Sequence, residues 1–216
     1  MLGSKLWGID KENFKHISFG FMLWNGVKMS SRGGNVYRLA ELLDNIKNKI
    51  INEFEGINQN LAEKLAVNAI IFNDLKNDRQ KDINFDLEQM TRLNGDSGVY
   101  IQYTFARINA LINKINIEYI ENIDISLLNG EQRKILLNIS YFIMILQSCC
   151  KSYKAHILAQ YILGICKKFN NFYSNSDKII NMDTEQKKSN LIFLKVLKIF
   201  FEKVFEILNM PKIEKI

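Results

Sequence analysis

Apolar residues recur at helical spacing along most of this chain. In the first stripe they stand mostly three or four positions apart, as on one face of a helix: Leu39, Leu42, Leu43, Ile46, Ile50 and Phe54. The same spacing predicts further helices over about 59–76, 87–93, 99–116, 130–152, 156–173 and 184–209. The last four have short connections, which is typical of a helical bundle. The pattern therefore predicts a mainly α fold.

The ends of two predicted helices carry residues that start or stop a helix. Asp96 or Ser97 can cap the helix that begins near residue 99, because a short polar side chain accepts a hydrogen bond from a free backbone N–H group. Thr184 stands where it can cap the last helix. Pro211 lies just beyond that helix and cannot continue it, since proline has no N–H group to donate.

Residues 15–38 show a different pattern, with two short apolar runs separated by Trp-Asn-Gly at 24–26. Asn and Gly both tolerate the positive φ that a tight turn needs, so this arrangement predicts a β-hairpin. Residues 30–35 then read Ser-Ser-Arg-Gly-Gly-Asn, and the two adjacent glycines favour a mobile loop. The polar residues 78–86 predict a loop that leads into a short helix.

The composition narrows the class of protein. The chain has 216 residues, of which 47% are hydrophobic, so it is long enough to bury a sizeable core. One proline and 11 glycines are too few for the frequent turns of an all-β sandwich or barrel. The formal net charge of +6 is compatible with a polyanionic partner.

Cysteine usage and the distribution of charge predict a cytoplasmic protein. Cys149, Cys150 and Cys166 are an odd number without C-x-x-C spacing, which fits a reducing compartment. The N-terminal residues mix charge into every apolar run, unlike a signal or transit peptide. The most apolar stretch, 191–210, is interrupted by charged residues such as Lys195, which would be costly in hydrocarbon. We therefore expect no membrane span.

The residue types that carry common catalytic and metal chemistry do not form a recognisable set. His16 and His156 lie far apart, and neither has a second ligand at helical spacing, so we expect no bound metal. The chain contains no nucleophile elbow, Walker A or dinucleotide-binding glycine motif. Three carboxylates cluster, but their setting is typical of a polar loop before a helix: Asp82, Asp86 and Glu88.

The most informative local motif is Lys28-Met29-Ser30-Ser31-Arg32, which two glycines follow. A triphosphate needs positive charge, neutral hydrogen-bond donors and a loop that can close, and this string supplies each of them. The alternative is a solvated basic turn, which so short a motif does not exclude by itself.

Four strings together resemble a known family. In chain order they are HISFGFML, KMSSRGGNV, FNDLKNDRQKDINFD and LNGDSGVYIQYTFARI. Their order and spacing resemble the C-terminal half of class I arginyl-tRNA synthetases, and the resemblance extends over about 18–216. The fourth string is the most specific, because it is similar to the family pattern Gly-Asn/Asp-Thr/Ser-Gly-Pro-Tyr-x-Gln-Tyr followed by Arg.

The resemblance implies three parts. Residues 1–38 look like the end of a Rossmann-type catalytic domain, with a short β-hairpin and a KMSKS-type loop. Residues 39–98 look like helices that contact the tRNA stem, and residues 99–216 like the DALR anticodon-binding helical bundle. The implied fold is mainly α, a bundle preceded by a hairpin and loop remnant of the catalytic domain.

The resemblance also implies ATP-dependent aminoacylation of tRNA(Arg), with Mg-bound ATP. Lys28 would neutralise the ATP phosphates as pyrophosphate leaves, Ser30 and Ser31 would donate hydrogen bonds, and Arg32 would add charge. The family's other ATP motif, His-x-Gly-His, is absent from this sequence. We therefore expect this chain alone to be inactive unless a separate N-terminal catalytic half supplies the rest of the active site.

The same resemblance implies the residues that bind tRNA. Tyr100, Tyr103 and Arg107 stand at i, i+3 and i+7, on one face of a helix, so two rings and a cation can face one partner. Unpaired RNA bases stack on such groups. Gln102 belongs to the same signature, and Tyr173 is a further stacking candidate by family position. The alternative is that these tyrosines pack within the bundle or at a helix end.

Three departures from the family pattern accompany the match. Val99 stands where the family has Pro, Asn190 where it has Arg, and residues 214–216 read Glu-Lys-Ile where it has Glu-Arg-Met. Two other functions stay open: a free-standing, non-catalytic tRNA-binding module, and a helical interaction domain without RNA function. The Lys28 loop favours part of a ligase, because a pure binding module gains nothing from a phosphate clamp. We expect no DNA or membrane partner.

Overall fold

The computed structural model describes residues 7–8, 14–24, 26–29, 38–115, 117, 124–175 and 179–216. Its α-helices are α1 Leu39–Glu53, α2 Gln59–Leu75, α3 Leu87–Thr91, α4 Gly98–Ile115, α5 Gly130–Ser140, α6 Phe142–Ser152, α7 His156–Asn175 and α8 Thr184–Leu208. Short 3-10 helices precede α5 and α8, at Ile125–Leu127 and Ile179–Asn181. The mainly α fold expected from the apolar spacing is confirmed.

A small three-stranded sheet lies at the N-terminal side. β1 (Met22–Trp24) pairs antiparallel with β2 (Val27–Lys28) and parallel with β3 (Ile83–Phe85). Gly26 has a φ of 78° in the turn between β1 and β2, and the predicted hairpin is confirmed. The sequence does not predict β3, because its three residues lie in a polar stretch and are too few to show an alternating pattern.

The first two helices and the sheet share a core. On α1, Leu42, Ile46 and Ile50 are buried, as the apolar stripe predicts, whereas Leu39 at the start of the helix is exposed. They pack against small and apolar residues of neighbouring elements: Ala62, Leu65, Ala66, Ala69, Ile83, Phe85, Met90, Val99 and Ile213. The alanines let α1 and α2 approach closely, and β3 is fixed to this core by its two buried side chains.

A second, larger core lies between α4, α7 and α8. Phe105 of α4 is fully buried there, with its ring centroid 5.2 Å from that of Phe205, edge to face, and 6.1 Å from that of Phe201. Because α4 also packs against α2, it joins the two cores. The packing of α4 on both cores therefore determines which elements lie beside its exposed face.

Side chains cap the N-termini of α4 and α8. Ser97 caps α4, since its Oγ accepts a hydrogen bond from the N–H of Tyr100 at 3.0 Å. Asp183 caps α8 with its carboxylate, so the prediction of Thr184 was wrong by one position. Asn209 ends α8 in the left-handed conformation, with a φ of 52°, two residues before the proline that was expected to stop it.

The helix predicted over 130–152 forms two helices that meet at Tyr141. The N–H of Tyr141 donates to the carbonyl of Asn138 at 3.2 Å, a tighter turn than that of an α-helix. By length and apolar composition alone, Gly130–Ser152 could cross a membrane, and 6% of its most apolar window is buried. Core helices of soluble proteins and signal sequences meet the same criteria. The expected absence of a membrane span therefore stays a prediction.

Two other predictions are not tested. The mobile loop expected at residues 30–35 lies outside the described residues. The domain boundaries after residues 38 and 98 stay predictions, and α2 and α4 pack directly against each other across the second of them.

Candidate functional site

Arg107 is the centre of a cluster that α4 and α7 build together. Its Nη2 donates to the hydroxyl of Tyr103, one turn earlier on α4, at 3.1 Å. Its Nη1 donates to Oδ1 of Asn170 on α7 at 2.5 Å. The guanidinium is thereby fixed by one neighbour on its own helix and one on the next.

Two tyrosine rings flank the same guanidinium. The Cζ atom of Arg107 lies 4.7 Å from the ring centroid of Tyr103 and 4.9 Å from that of Tyr173. Both distances are within the range of cation–π attraction. Tyr173 is itself stacked on the fully buried Phe169, at 6.2 Å and an interplanar angle of 21°. We call the set of Tyr103, Arg107, Asn170 and Tyr173 the Arg107 cradle.

Asn170 holds its orientation through a chain of hydrogen bonds. Its Nδ2 donates to Oγ1 of Thr104 at 2.7 Å, and the Thr104 hydroxyl donates to the carbonyl of Tyr100 at 2.9 Å. The amide oxygen of Asn170 is therefore directed to the arginine and its nitrogen to α4. The cradle is held in one arrangement before any ligand arrives, which lowers the entropy lost on binding.

A groove of about 530 Å³ begins at the cradle. It lies between one face of α4 and the last residues of the chain, and its lining consists of Tyr103, Ala106, Arg107, Ala110, Asn113, Lys114, Glu214, Lys215 and Ile216. Three cations and one carboxylate side chain line it. Such a mixture of small, aromatic and basic side chains suits an anionic ligand with flat rings.

Gln102 takes no part in that groove, although it belongs to the signature string. Its side chain is fully buried, and its amide is bonded to Asn68 on α2 and to Pro211 after α8. In this structure it cannot touch an RNA, so its expected role as a tRNA contact is corrected to an internal one. The reason is helical geometry, because residue 102 points away from the face that carries Tyr103 and Arg107.

Tyr100 is half-buried against the larger core. Burial raises the pKa of its hydroxyl, and a hydrogen bond with Asn170 partly offsets that effect. Of the two tyrosines on α4, Tyr103 therefore lies in the groove lining, while Tyr100 lies beside the hydrogen-bond chain that holds the cradle.

The residues expected to bind ATP lie at the hairpin. Lys28 is exposed on β2, and its Nζ lies 3.3 Å from the ring centroid of Phe21. Ser30, Ser31 and Arg32 lie outside the described residues. Among the residues that the structure describes, no group of three histidine, cysteine or acidic side chains is placed to hold a metal ion.

Sequence reasoning missed two contributors to the site. Asn170 orients the guanidinium, and the segment after α8 supplies one wall of the groove. A weak signal for Asn170 exists, because it stands three positions before Tyr173 as a polar residue inside an apolar stripe. The signal for residues 214–216 came from the resemblance, since the Met that ends the family's Glu-Arg-Met can lie in the anticodon pocket of some members.

Comparison with known protein families shows which family the chain belongs to. The model of the DALR anticodon binding domain matches residues 101–216, the region that holds the cradle and the groove. The chain belongs to the DALR anticodon-binding family. A second model, the catalytic domain of class I tRNA synthetases (R), matches residues 5–87, which include the hairpin and Lys28.

Individual relatives agree with both matches. The arginine–tRNA ligase of Latilactobacillus sakei is 32% identical over 92% of this chain, which covers 36% of that protein. The solved arginyl-tRNA synthetase of Plasmodium falciparum aligns with all of the chain at a TM-score of 0.74 and 27% identity, covering 38% of that protein. That of Thermus thermophilus aligns with 93% at a TM-score of 0.84 and 21% identity, covering 35%, and shows the fold.

These comparisons confirm the resemblance stated from the four strings. The chain corresponds to the C-terminal part of class I arginyl-tRNA synthetases, and it spans little more than a third of the length of the curated relatives it matches.

Proposed function

We propose that this chain binds tRNA(Arg) through the Arg107 cradle and the adjoining groove, and that it acts as the tRNA-binding portion of an arginine–tRNA ligase in the cytoplasm. One observation carries the proposal. Arg107 has its Cζ atom 4.7 Å and 4.9 Å from two tyrosine ring centroids, is bonded by an asparagine from a second helix, and lines a groove with two lysines.

The chemistry of the cradle suits an unpaired RNA base. Aromatic rings and a guanidinium plane stack on bases, and each stacked base contributes about 1 to 3 kcal/mol. Tyr103 and Tyr173 are both partly exposed, so their rings are accessible to a partner. Arginine has five N–H donors, and the bonds to Tyr103 and Asn170 use two of them, which leaves donors for a base edge or a phosphate.

Lys114 and Lys215 supply charge for the RNA backbone. Both line the groove, one on α4 and one on the segment after α8, so a strand in the groove would have a cation on each side. Phosphate contacts of this kind hold an RNA in place without reading its sequence, whereas contacts to base edges distinguish one anticodon from another.

The proposal extends to ATP-dependent aminoacylation at the hairpin. Lys28 is an exposed cation on β2, and its position fits a role in offsetting the charge of Mg-bound ATP, together with Ser30, Ser31 and Arg32. When bound, ATP would supply the adenylyl group that activates the arginine carboxylate, with pyrophosphate as the leaving group. The rest of the nucleotide site would come from a region that carries the His-x-Gly-His motif.

The alternative is a free-standing tRNA-binding module without ligase chemistry. The cradle alone supports either function equally. Lys28 favours the ligase, because a lysine followed by Ser30, Ser31 and Arg32 suits a triphosphate, and a protein that only binds the anticodon gains nothing from a phosphate clamp.

Binding and exchange assays separate these functions. We expect the 216-residue chain to bind a tRNA(Arg) transcript more tightly than a tRNA of another specificity, and to show no arginine-dependent ATP–pyrophosphate exchange. Adding a catalytic half with the His-x-Gly-His motif should produce exchange, and Lys28→Ala should reduce it. Binding without any exchange even after the catalytic half is added would favour the free-standing module, and equal affinity for all tRNAs would contradict the proposal.

A further inference from the structure

A buried side-chain amide of α4 is bonded to the backbone of the segment that follows α8. Nε2 of Gln102 donates to the carbonyl of Pro211 at 2.8 Å, and its Oε1 accepts from the N–H of Ile213 at 3.2 Å. This primary amide donates a hydrogen bond to one residue and accepts a hydrogen bond from the residue two positions later. A neighbouring parallel β-strand bonds in the same way. Gln102 thereby fixes both the position and the direction of residues 211–213.

Asn68 of α2 completes this arrangement. Its Nδ2 donates to the same carbonyl of Pro211 at 3.0 Å, and its Oδ1 accepts from Nε2 of Gln102 at 2.9 Å. Both side chains are fully buried. We call Asn68 and Gln102 the amide clamp. Since buried amides are costly to leave unpaired, the segment has little freedom to leave this position.

Close packing of α4 on α2 makes the clamp possible. Gly98 stands one turn before Gln102 on the same face of α4, and a Cβ atom at that position would overlap the backbone carbonyl of Asn68. The missing side chain therefore lets the two helices approach closely enough for the amides to meet.

The clamped segment leads directly into the wall of the groove. Met210 and Ile213 bury their side chains, one in each core, and Glu214, Lys215 and Ile216 then line the groove opposite Arg107. Among the described residues, none from α2 lines that groove. A residue of α2 can therefore influence the groove by two routes, through the segment it holds or through α4, against which α2 packs.

We propose that Gln102 and Asn68 are positioning residues for RNA binding, which hold residues 211–213 so that residues 214–216 form the second wall of the groove. This inference rests on the proposed function. It differs from a purely structural role, because it requires the effect of the clamp on RNA affinity to pass through the last three residues.

A double-mutant cycle in the full chain tests this route. Gln102→Met keeps the length and volume of the side chain and removes its three hydrogen bonds. The second change ends the chain after Ile213, which removes the wall. The probe is the anticodon stem-loop of tRNA(Arg), and affinity and melting temperature are measured for all four proteins.

We expect Gln102→Met to weaken binding about five- to tenfold in the full chain and less than about twofold in the shortened one. It should lower the melting temperature equally in both. Asn68→Leu should repeat this pattern from α2. Leu128→Ala, a core change away from the groove, is the control that lowers stability without changing affinity.

Each contrary result has a distinct meaning. An equal loss of affinity in both backgrounds, or no loss in either, would overturn the positioning role. If the unchanged protein fails to bind the stem-loop and the intact tRNA(Arg), the proposed function fails instead, whatever the clamp variants show.

Discussion

The Cζ atom of Arg107 lies 4.9 Å from the ring centroid of Tyr173, although the first residue is on α4 and the second on α7. The contact means that the proposed RNA-stacking surface exists only when the two helices are packed. Asn170 adds a hydrogen bond across the same boundary. Binding of RNA should therefore depend on the shape of the guanidinium as well as on its charge.

Arg107→Lys tests that dependence on shape. A lysine keeps the charge but has no planar fork, so it cannot hold the geometry of the bonds to Tyr103 and Asn170 and also present a flat face to the tyrosine rings. We expect a loss of affinity for tRNA(Arg) of about 1 to 3 kcal/mol, measured by filter binding.

The matched control is Arg133→Lys on α5, where the exposed arginine donates to the carbonyl of Ser126. The affinity of the Arg133→Lys variant for tRNA(Arg) should equal that of the unchanged protein. Both variants should melt within a few degrees of the unchanged protein. Full binding by Arg107→Lys would show that the cradle supplies charge alone.

The slope of affinity against salt reports how many cations meet phosphates. Lys114→Gln and Lys215→Gln should each lower the slope of log K against log salt by about 0.7 to 0.9, since each lost phosphate contact releases one fewer counterion. Titrations at several salt concentrations measure this. Lys134→Gln, on the exposed face of α5 where the lysine pairs with Glu131, should leave the slope unchanged. An unaltered slope for both groove variants would place the phosphates elsewhere.

Two glycines should respond oppositely to alanine. Gly98→Ala would push α4 away from the Asn68 carbonyl, and we expect it to cost about 1 to 3 kcal/mol of the free energy of unfolding. Gly164, inside α7, has open space around it, so Gly164→Ala should gain about 0.5 to 1 kcal/mol from helix propensity. Urea denaturation measures both. Similar effects at the two positions would contradict the close approach of α4 to α2.

The ionised carboxylate of Asp78 should stabilise the fold, and this stabilisation should be lost when acid protonates it. A hydrogen bond from Lys154 at 2.6 Å and another from the N–H of Gln80 hold the pKa of the Asp78 carboxyl below its ordinary value, with a smaller contribution from His156. A lowered pKa means that the contribution is present above about pH 4 and is lost as the pH falls further.

Melting temperatures between about pH 6 and pH 3 check that direction. Asp78→Asn should be less stable than the unchanged protein near neutral pH, and the difference should shrink in acid. Asp44→Asn, at an exposed pair with Lys47, is the control and should show a smaller difference throughout. A difference that grows on acidification would reverse the assigned sign.

Helices with a clear apolar stripe were accessible from the sequence. The predicted ranges 59–76 and 99–116 differ by one residue or less at each end from Gln59–Leu75 and Gly98–Ile115. β3 was not accessible, because a three-residue strand obtains its stability from pairing with β1 and not from its own composition. The break at Tyr141 likewise depends on backbone geometry that apolar spacing does not show.

The order of residues along the chain determined which helices form, that Tyr103 and Arg107 share one helical face, and which family the strings resemble. These properties depend on neighbours within one or two turns, which a pattern can show. Packing alone decided that Asn170 and Tyr173 join that face, that Gln102 turns inward, and that the last residues close the groove. Contacts between distant residues depend on how whole helices pack against each other, and the local spacing of apolar residues does not specify that packing.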